Sequence, residues 1–148
     1  MKKSKIILAV LILSMMALIF SGCGGVSGPK TAKLNISIEP NPVPYDSQKE
    51  GWPFLMTISE SNGVGVTVSS IRFDGYNQGE ELDDTDIFYE ETIIDWFESD
   101  YIPAFSSIQS DILASGITAG DHSIVTVTGV DDNNNPIEAT GRIDFLPK

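Results

Sequence analysis

The clearest structural signal in the chain lies in residues 122–145, which read HSIVTVTGVDDNNNPIEATGRIDF. The run 122–130 is dense in β-branched residues, and the run 137–145 places apolar side chains at alternate positions, as a half-buried strand requires. Between them, residues 131–136 are aspartate, asparagine and proline, which are turn formers. This stretch predicts a long antiparallel hairpin that closes the domain.

Alternating apolar residues also mark shorter strands earlier in the chain. The pattern covers residues 34–38, stops at the prolines of residues 40–44, and resumes over residues 52–58. Valines alternate over residues 64–68, and a further alternating run covers residues 106–112. Each of these runs has the length and pattern of a strand with one buried face.

Two local features predict how the chain turns between these runs. Asn62 and Gly63 adopt positive φ easily, so they predict a tight turn and a hairpin that joins the runs on either side. The apolar positions change parity after Ser69 and Ser70, which predicts a β-bulge there.

The middle of the chain allows two interpretations. The acidic stretch 80–86 predicts a solvated loop. Apolar spacing over residues 87–97 favours a short helix near 90–98, with glutamates in the first turn, where the helix dipole favours them. The same stretch also fits a strand with Phe88 facing inward.

Six or seven short strands separated by turn residues predict an all-β fold, a single antiparallel β-sandwich over residues 34–148. The prolines of residues 40–44, Trp52 on the second strand and the hairpin tip 129–133 resemble bacterial immunoglobulin-like (Ig-like) and fibronectin type III-like modules. The resemblance covers residues 34–147 and implies a sandwich of about seven strands. Modules of this kind serve as spacers, stalks or adhesive units.

The N-terminus has the order of a secretory signal: lysines at residues 2, 3 and 5, an apolar run over residues 6–20, and small residues at 21–22. The apolar run is shorter than the roughly 20 residues of a membrane-spanning helix. Residues 20–23, Phe-Ser-Gly-Cys, resemble a bacterial lipobox, which implies cleavage after residue 22 and acylation of Cys23. The alternative is an ordinary secretory signal that ends near the only cysteine of the chain.

Three segments follow from this interpretation: a signal peptide at 1–22, a lipidated Cys23 with a flexible tether to residue 33, and the sandwich at 34–148. Multiple acyl chains would anchor the protein stably to a membrane. The resemblance to lipoproteins implies the cell envelope, and the outer membrane in a Gram-negative cell. The chain carries a formal charge of −12, which argues against nucleic acid as a partner.

Two acidic sets are candidate calcium sites, because calcium prefers several oxygen ligands. The first lies in the acidic stretch and the second at the hairpin tip: Asp83, Asp84 and Asp86, and Asp131, Asp132, Asn133 and Asn135. The alternative for both sets is plain solvated turns. Trp96 and Tyr101 are the candidate aromatic residues for stacking on a glycan.

The sequence holds no catalytic pattern. His122 is the only histidine, no Gly-x-Ser-x-Gly motif occurs, and zinc would find one histidine and one cysteine. We therefore expect a non-enzymatic envelope lipoprotein without a required cofactor, acting as a structural or adhesion-type interaction module with a protein or glycan partner. The alternative is a calcium- or carbohydrate-binding module at the cell surface.

Overall fold

The computed structural model describes residues 28–116 and 121–148. The predicted signal peptide, residues 1–22, and Cys23 lie outside these residues. Within the two described ranges, eight strands and one helix follow in chain order: β1 (Leu34–Glu39), β2 (Trp52–Glu60), β3 (Val66–Tyr76), β4 (Leu82–Tyr89), α1 (Glu90–Phe97), β5 (Tyr101–Ile102), β6 (Ser107–Ala114), β7 (His122–Asp131) and β8 (Pro136–Asp144). The prediction of an all-β fold with a short helix near residues 90–98 is confirmed.

The strands form two antiparallel sheets that pack face to face as a sandwich. The first sheet has the order β1-β2-β6, and the second has the order β4-β3-β7-β8, with β5 paired to β3 beyond the end of β4. The closing hairpin is confirmed as β7 and β8. The predicted bulge is confirmed as a shift of register between Val68 and Ser70 of β3.

The predicted hairpin between the runs at 52–58 and 64–68 is wrong. β2 pairs with β1 and β6, whereas β3 belongs to the other sheet, so the chain crosses between the sheets after Glu60. The Glu60 carboxylate accepts the backbone N–H groups of Asn62 and Gly63 at 2.7 and 2.8 Å. A side chain therefore closes this turn, and Gly63 adopts the left-handed φ of 81° that the turn needs.

The prediction of an acidic loop over residues 80–86 is also wrong in its second half, because β4 begins at Leu82. The turn ends earlier, where the Asn77 side-chain carbonyl accepts the N–H groups of Gly79 and Glu81 at 2.8 and 3.1 Å. Pairing with β3 then holds the acidic residues in a strand. The composition suggested a loop because the partner strand is not visible in the local sequence.

The core lies between the sheets and is centred on the predicted inward positions of β2, β3 and β7. Its fully buried members include Trp52, Met56, Ile58, Ile71, Val125, Val127 and Ile143. The Trp52 indole N–H donates to the Leu146 carbonyl at 2.9 Å, and its ring packs edge-on against Tyr45 and Phe145. This tryptophan therefore ties β2 to the C-terminal residues.

The two sides of the sandwich close differently. On one side β1 contacts β8, and the proline-rich segment bonds to the end of β8 through the Val43 N–H and the Asp144 carbonyl, at 2.7 Å. On the other side, the edge strands β4 and β6 are bridged by α1, which contacts both. No helix in the described part of the chain is long and apolar enough to span a membrane.

Candidate functional site

A cleft of about 330 Å³ opens between β4 and β6. Its apolar walls are formed by Phe54, Phe73, Phe88, Trp96, Ile112 and Ile143. The volume is at the lower end of the range of about 300–1,000 Å³ that is usual for ligand sites. The cleft lies where β3 ends and β4 begins, and we call this end of the sandwich the cleft end.

The cleft exists because the inner face of β4 is polar. Phe73 pairs with Asp86 and Gly75 pairs with Asp84, and directly paired residues point to the same face of a sheet. Since Phe73 faces the interior, both carboxylates point inward as well. An unpaired carboxylate cannot be buried without a large penalty, so the edge of β4 cannot close against β6.

Gly75 supplies part of the space. A Cβ atom built at this position would meet only Asp84, with its carbonyl oxygen 3.8 Å away, which is an ordinary contact. The position lies in β3, faces inward opposite Ser123 of β7, and lines the cleft. A larger side chain at residue 75 would therefore occupy the cleft without displacing the backbone.

Helix α1 positions the aromatic wall. It begins directly after β4, carries Glu90 and Glu91 in its first turn, and buries Ile93 and Phe97. These buried anchors fix the helix so that the Trp96 ring packs against the Phe88 ring, with centroids 4.6 Å apart. Trp96 is half-buried and lines the cleft.

The rim of the cleft is acidic. Four aspartates, Asp83, Asp84, Asp86 and Asp121, line it, and no lysine or arginine occurs among its described lining residues. His122 stacks on Tyr76 with ring centroids 5.2 Å apart, and its Nε2 lies 3.6 Å from the Glu80 carboxylate. The ring contacts assign His122 a structural place at the rim.

The other acidic set lies at the opposite end of the sandwich. β7 runs from His122 at the cleft end to Asp131, a distance of about 30 Å for a strand of this length. Residues 30–33 enter the domain beside Asp131, and we call this end the entry end. The two predicted calcium sets are therefore not brought together.

Asp131 is a structural carboxylate. It is 3% exposed and accepts the N–H groups of Ala32, Asn133 and Asn135 at 3.1, 2.9 and 2.8 Å, and also the Asn135 side-chain amide. Burial alone would raise the pKa of Asp131, but these hydrogen bonds hold the pKa below its usual range. The residue organises the hairpin tip as an Asx turn.

The remaining predicted residues at this end are engaged with neighbouring groups of the protein. Asp132 accepts the Tyr101 hydroxyl at 3.1 Å, and this hydrogen bond, with partial desolvation and the nearby charge, raises the pKa of Tyr101. Asn133 donates to the Lys30 carbonyl at 2.7 Å. Trp96 lines the cleft and Tyr101 does not, so the structure does not bring these two candidate stacking residues together.

Glu60 is a buried carboxylate that the sequence analysis did not single out. It is 3% exposed and accepts four backbone N–H groups, from Asn62, Gly63, Lys33 and Phe105, at 2.7–3.1 Å. Burial alone would raise its pKa, but the four hydrogen bonds lower the pKa from 4.5 to about 2. The sequence did contain a signal for its burial, because Glu60 continues the alternation of the inward-facing residues of β2.

The hydrogen bonds at the entry end show that the ordered domain begins before residue 34. Ala32 and Lys33 donate their N–H groups to Asp131 and Glu60, and Asn62 donates to the Thr31 carbonyl at 2.6 Å. The flexible tether was predicted to extend to residue 33. Residues 30–33 are instead held by these hydrogen bonds, because both carboxylates need backbone donors when they are buried.

In the part of the chain that the structure describes, neither acidic set is arranged to bind a metal ion. Within residues 28–116 and 121–148, no three His, Cys, Asp or Glu side chains are placed to hold one metal ion. In β4, Asp84 and Asp86 share the inner face, whereas Asp83 lies at the register shift opposite Gly75 and Tyr76. The calcium prediction stays a prediction.

Comparison with known proteins shows the fold alone. No protein-family model and no curated protein matches the chain. A crystal structure of a Bordetella pertussis protein assigned as ApaA matches with a TM-score of 0.56 and 15% identity, over 80% of this chain and 96% of that chain. The two are therefore similar in fold.

Two further structures match more weakly. A Northeast Structural Genomics Consortium target has a TM-score of 0.45 at 11% identity, over 78% of this chain and 86% of its own. The Pseudomonas fluorescens alkylpurine DNA glycosylase AlkC, bound to DNA with an abasic site analogue, has a TM-score of 0.42 at 11% identity, over 78% of this chain and 31% of its own. Neither likeness is strong enough to support an argument about function.

We predict that Glu60 contributes pH-dependent stability. Its folded pKa of about 2 lies below the reference value of 4.5, so its contribution is complete above pH 5 and is lost as the pH falls from about 4.5 to 2. Glu60→Gln should flatten this part of the pH profile. The substitution should also lower the free energy of unfolding at pH 7 by about 1–3 kcal/mol. The glutamine NH2 group takes the place of one carboxylate oxygen and cannot accept the two backbone N–H groups that this oxygen accepted.

Urea unfolding of both proteins at pH 7, 5 and 3 tests this prediction. Glu138→Gln is the matched control, since Glu138 is exposed on β8. An equal acid response in the wild type and in Glu60→Gln would contradict the role given to Glu60.

We predict that calcium does not stabilise the domain. A cation at Asp131 would have to displace five hydrogen bonds, and in the described residues no three carboxylates are placed to hold one ion. Thermal melts with millimolar calcium and then with chelator should agree within about 1 °C. Saturating calcium at a hundred times its dissociation constant would add about 2.7 kcal/mol and several degrees, and that result would restore the calcium hypothesis.

Proposed function

We propose that the chain is a non-enzymatic, lipid-anchored envelope protein whose Ig-like sandwich binds a ligand in the cleft. One observation carries this proposal: the cleft has aromatic walls and an acidic rim, and it lies at the end of the sandwich opposite to residues 30–33. A purely structural spacer would not need an inward-facing polar strand beside an open apolar wall.

The walls and rim of the cleft favour a ligand with an apolar body and a positive charge. Phe88 and Trp96 offer flat apolar surfaces, and aromatic faces also attract cations. Asp84 and Asp86 add negative charge at the rim, so an anionic ligand would be repelled. The proposed ligand class is therefore a cationic amphiphile.

The contacts of the cleft support binding without chemistry. His122 is 5% exposed, stacks on Tyr76 and faces Glu80, so its ring is held at the rim by its neighbours. The wall opposite β4 is apolar, with Ile112 and Ala114 of β6.

The proposed anchor gives the cleft an orientation. Lys30 lies seven positions after Cys23, and a chain of this length spans at most about 25 Å. Lys30 enters at the entry end, where Asn133 binds its carbonyl. An acylated Cys23 would therefore keep the entry end near the membrane, and the cleft would face away from it.

We predict that Cys23 carries the lipid. Bacteria that produce the full chain and grow with labelled palmitate should incorporate label into the wild type but not into Cys23→Ala. Ser21→Ala, which keeps a small residue beside the cysteine, is the matched control and should retain the label. Labelling of Cys23→Ala, or absence of label from the wild type, would refute the lipid anchor.

We predict that Gly75→Leu blocks the cleft while leaving the fold intact. The probe is phenethylammonium, an aromatic ring with one positive charge, and binding to full-length protein in detergent is followed by Trp96 fluorescence. We expect binding to weaken by about tenfold or more in the variant, because the leucine occupies the space of the ring. The melting temperature should stay close to that of the wild type.

Two controls sharpen this experiment. Gly28→Leu adds the same side chain where nothing lies within 4 Å, and it should bind as the wild type does. Phenylpropionate has the ring with the opposite charge and should not bind. Equal affinity of the wild type and Gly75→Leu would refute the cleft as a binding site, and binding of neutral oligosaccharides alone would favour a glycan ligand.

A further inference from the structure

We infer that the natural ligand is an extended basic segment of another protein, which adds to the free edge of β4 and places alternate side chains in the cleft. This inference rests on the proposed function and specifies its ligand. It follows from the edge of β4, from the position of the cleft beside that edge, and from the charge of the strand.

The edge of β4 is open to a further strand. β4 is the last strand on its side of the second sheet, and within the described residues it pairs with β3. Seven of its eight residues are exposed. An eight-residue strand presents about 27 Å of edge, enough for several main-chain hydrogen bonds to an extended peptide.

The hydrogen bonds of the strand show which backbone groups face outward. The Thr85 N–H donates to the neighbouring Asp84 carboxylate at 2.8 Å. Because backbone groups alternate in an antiparallel strand, we assign the N–H and C=O groups of Thr85 and Ile87 to the free edge, whereas Asp83 lies at the register shift. A peptide strand could pair with Thr85 and Ile87 and replace the contact that Asp84 makes.

The cleft lies directly inside this edge. A strand added to a sheet continues its pleat, so alternate side chains of the peptide would lie on the same face as Asp84, Asp86 and Phe88. These side chains would enter the space between β4 and Ile112 of β6. The backbone would supply affinity, and the cleft would select the side chains.

Charge determines the kind of partner. β4 reads LDDTDIFY, and like charges opposite one another destabilise paired strands. A second copy of β4 would place aspartates against aspartates, and the chain as a whole carries −12. Lysine or arginine at alternate positions would instead lie opposite Asp84 and Asp86. The fitting partner is therefore a basic extended segment from another protein.

The first test uses full-length protein in detergent and an eight-residue peptide of alternating lysine and valine, with both ends blocked. An alternating glutamate and valine peptide is the charge control. Two further versions carry N-methyl groups on one or the other alternate set of backbone nitrogens. We expect the basic peptide to bind at least about tenfold more tightly than the acidic one.

Methylation identifies strand addition. In a paired peptide strand, one alternate set of N–H groups faces β4 and the other set faces solvent. Methylation of the set that faces β4 should abolish binding. Methylation of the other set should change the affinity by less than about threefold. Equal binding of both methylated peptides would overturn strand addition. Absence of any peptide binding would also overturn the inference and leave the inward aspartates as protection of an exposed edge.

A variant pair separates local recognition from general attraction. Asp84→Asn with Asp86→Asn should weaken peptide binding about tenfold. Glu39→Gln with Glu138→Gln removes the same charge from β1 and β8, the edge strands on the other side of the sandwich, and should have little effect. Equal effects of the two double variants would refute recognition by β4.

The outcomes also distinguish this inference from the proposed function. If Gly75→Leu abolishes phenethylammonium binding while the peptide binds regardless of methylation, the cleft is a site but the strand addition is wrong. If Gly75→Leu leaves both probes unaffected, the cleft itself is not the site, and both proposals fail.

Discussion

The inward-facing carboxylates of β4 are the constraint from which the functional geometry follows. The two sheets of a sandwich normally pack about 10 Å apart through interlocking apolar faces. Asp84 and Asp86 stand on such a face, in register with Gly75 and Phe73. Neither carboxylate can enter a dry interior, so the sandwich stays open on this side. Helix α1 covers only part of the opening, through the contact of Trp96 with Phe88.

At the entry end, carboxylates are buried because backbone N–H groups donate hydrogen bonds to them. Glu60 and Asp131 are almost completely buried, and each accepts several backbone N–H groups that would otherwise be orphaned in turns. Burial of these carboxylates organises three turns and fixes residues 30–33. The domain thus has a closed end, where carboxylates are satisfied by the backbone, and an open end, where they face a cleft. This difference gives the molecule a direction relative to its N-terminal segment.

Sequence patterns predicted the strands well because a buried face imposes a period of two whatever the neighbouring strand is. The same patterns could not assign strands to sheets: Asn62 and Gly63 indicate a turn, but a side-chain contact from Glu60 decides that the chain crosses to the other sheet. β4 was hidden for a related reason, since its acidic composition is typical of a loop and only its pairing with β3 makes it a strand. The candidate site was predicted in fragments. Trp96 and the β4 aspartates line one cleft, whereas Asp131 and Tyr101 belong to the other end.

A likeness of fold at 15% identity carries no information about an edge or a cleft, so function must be argued from this chain's own residues. Exposed edge strands are a hazard, and natural proteins often protect them with charges that point inward. In β4 such charges stand beside an open apolar wall, where a protective role alone would need no cleft. The aspartates repel other copies of this acidic chain and leave the backbone edge accessible to a strand of opposite charge. Under the proposed strand addition, protection from self-association and selection of a basic partner are two consequences of one arrangement of charge.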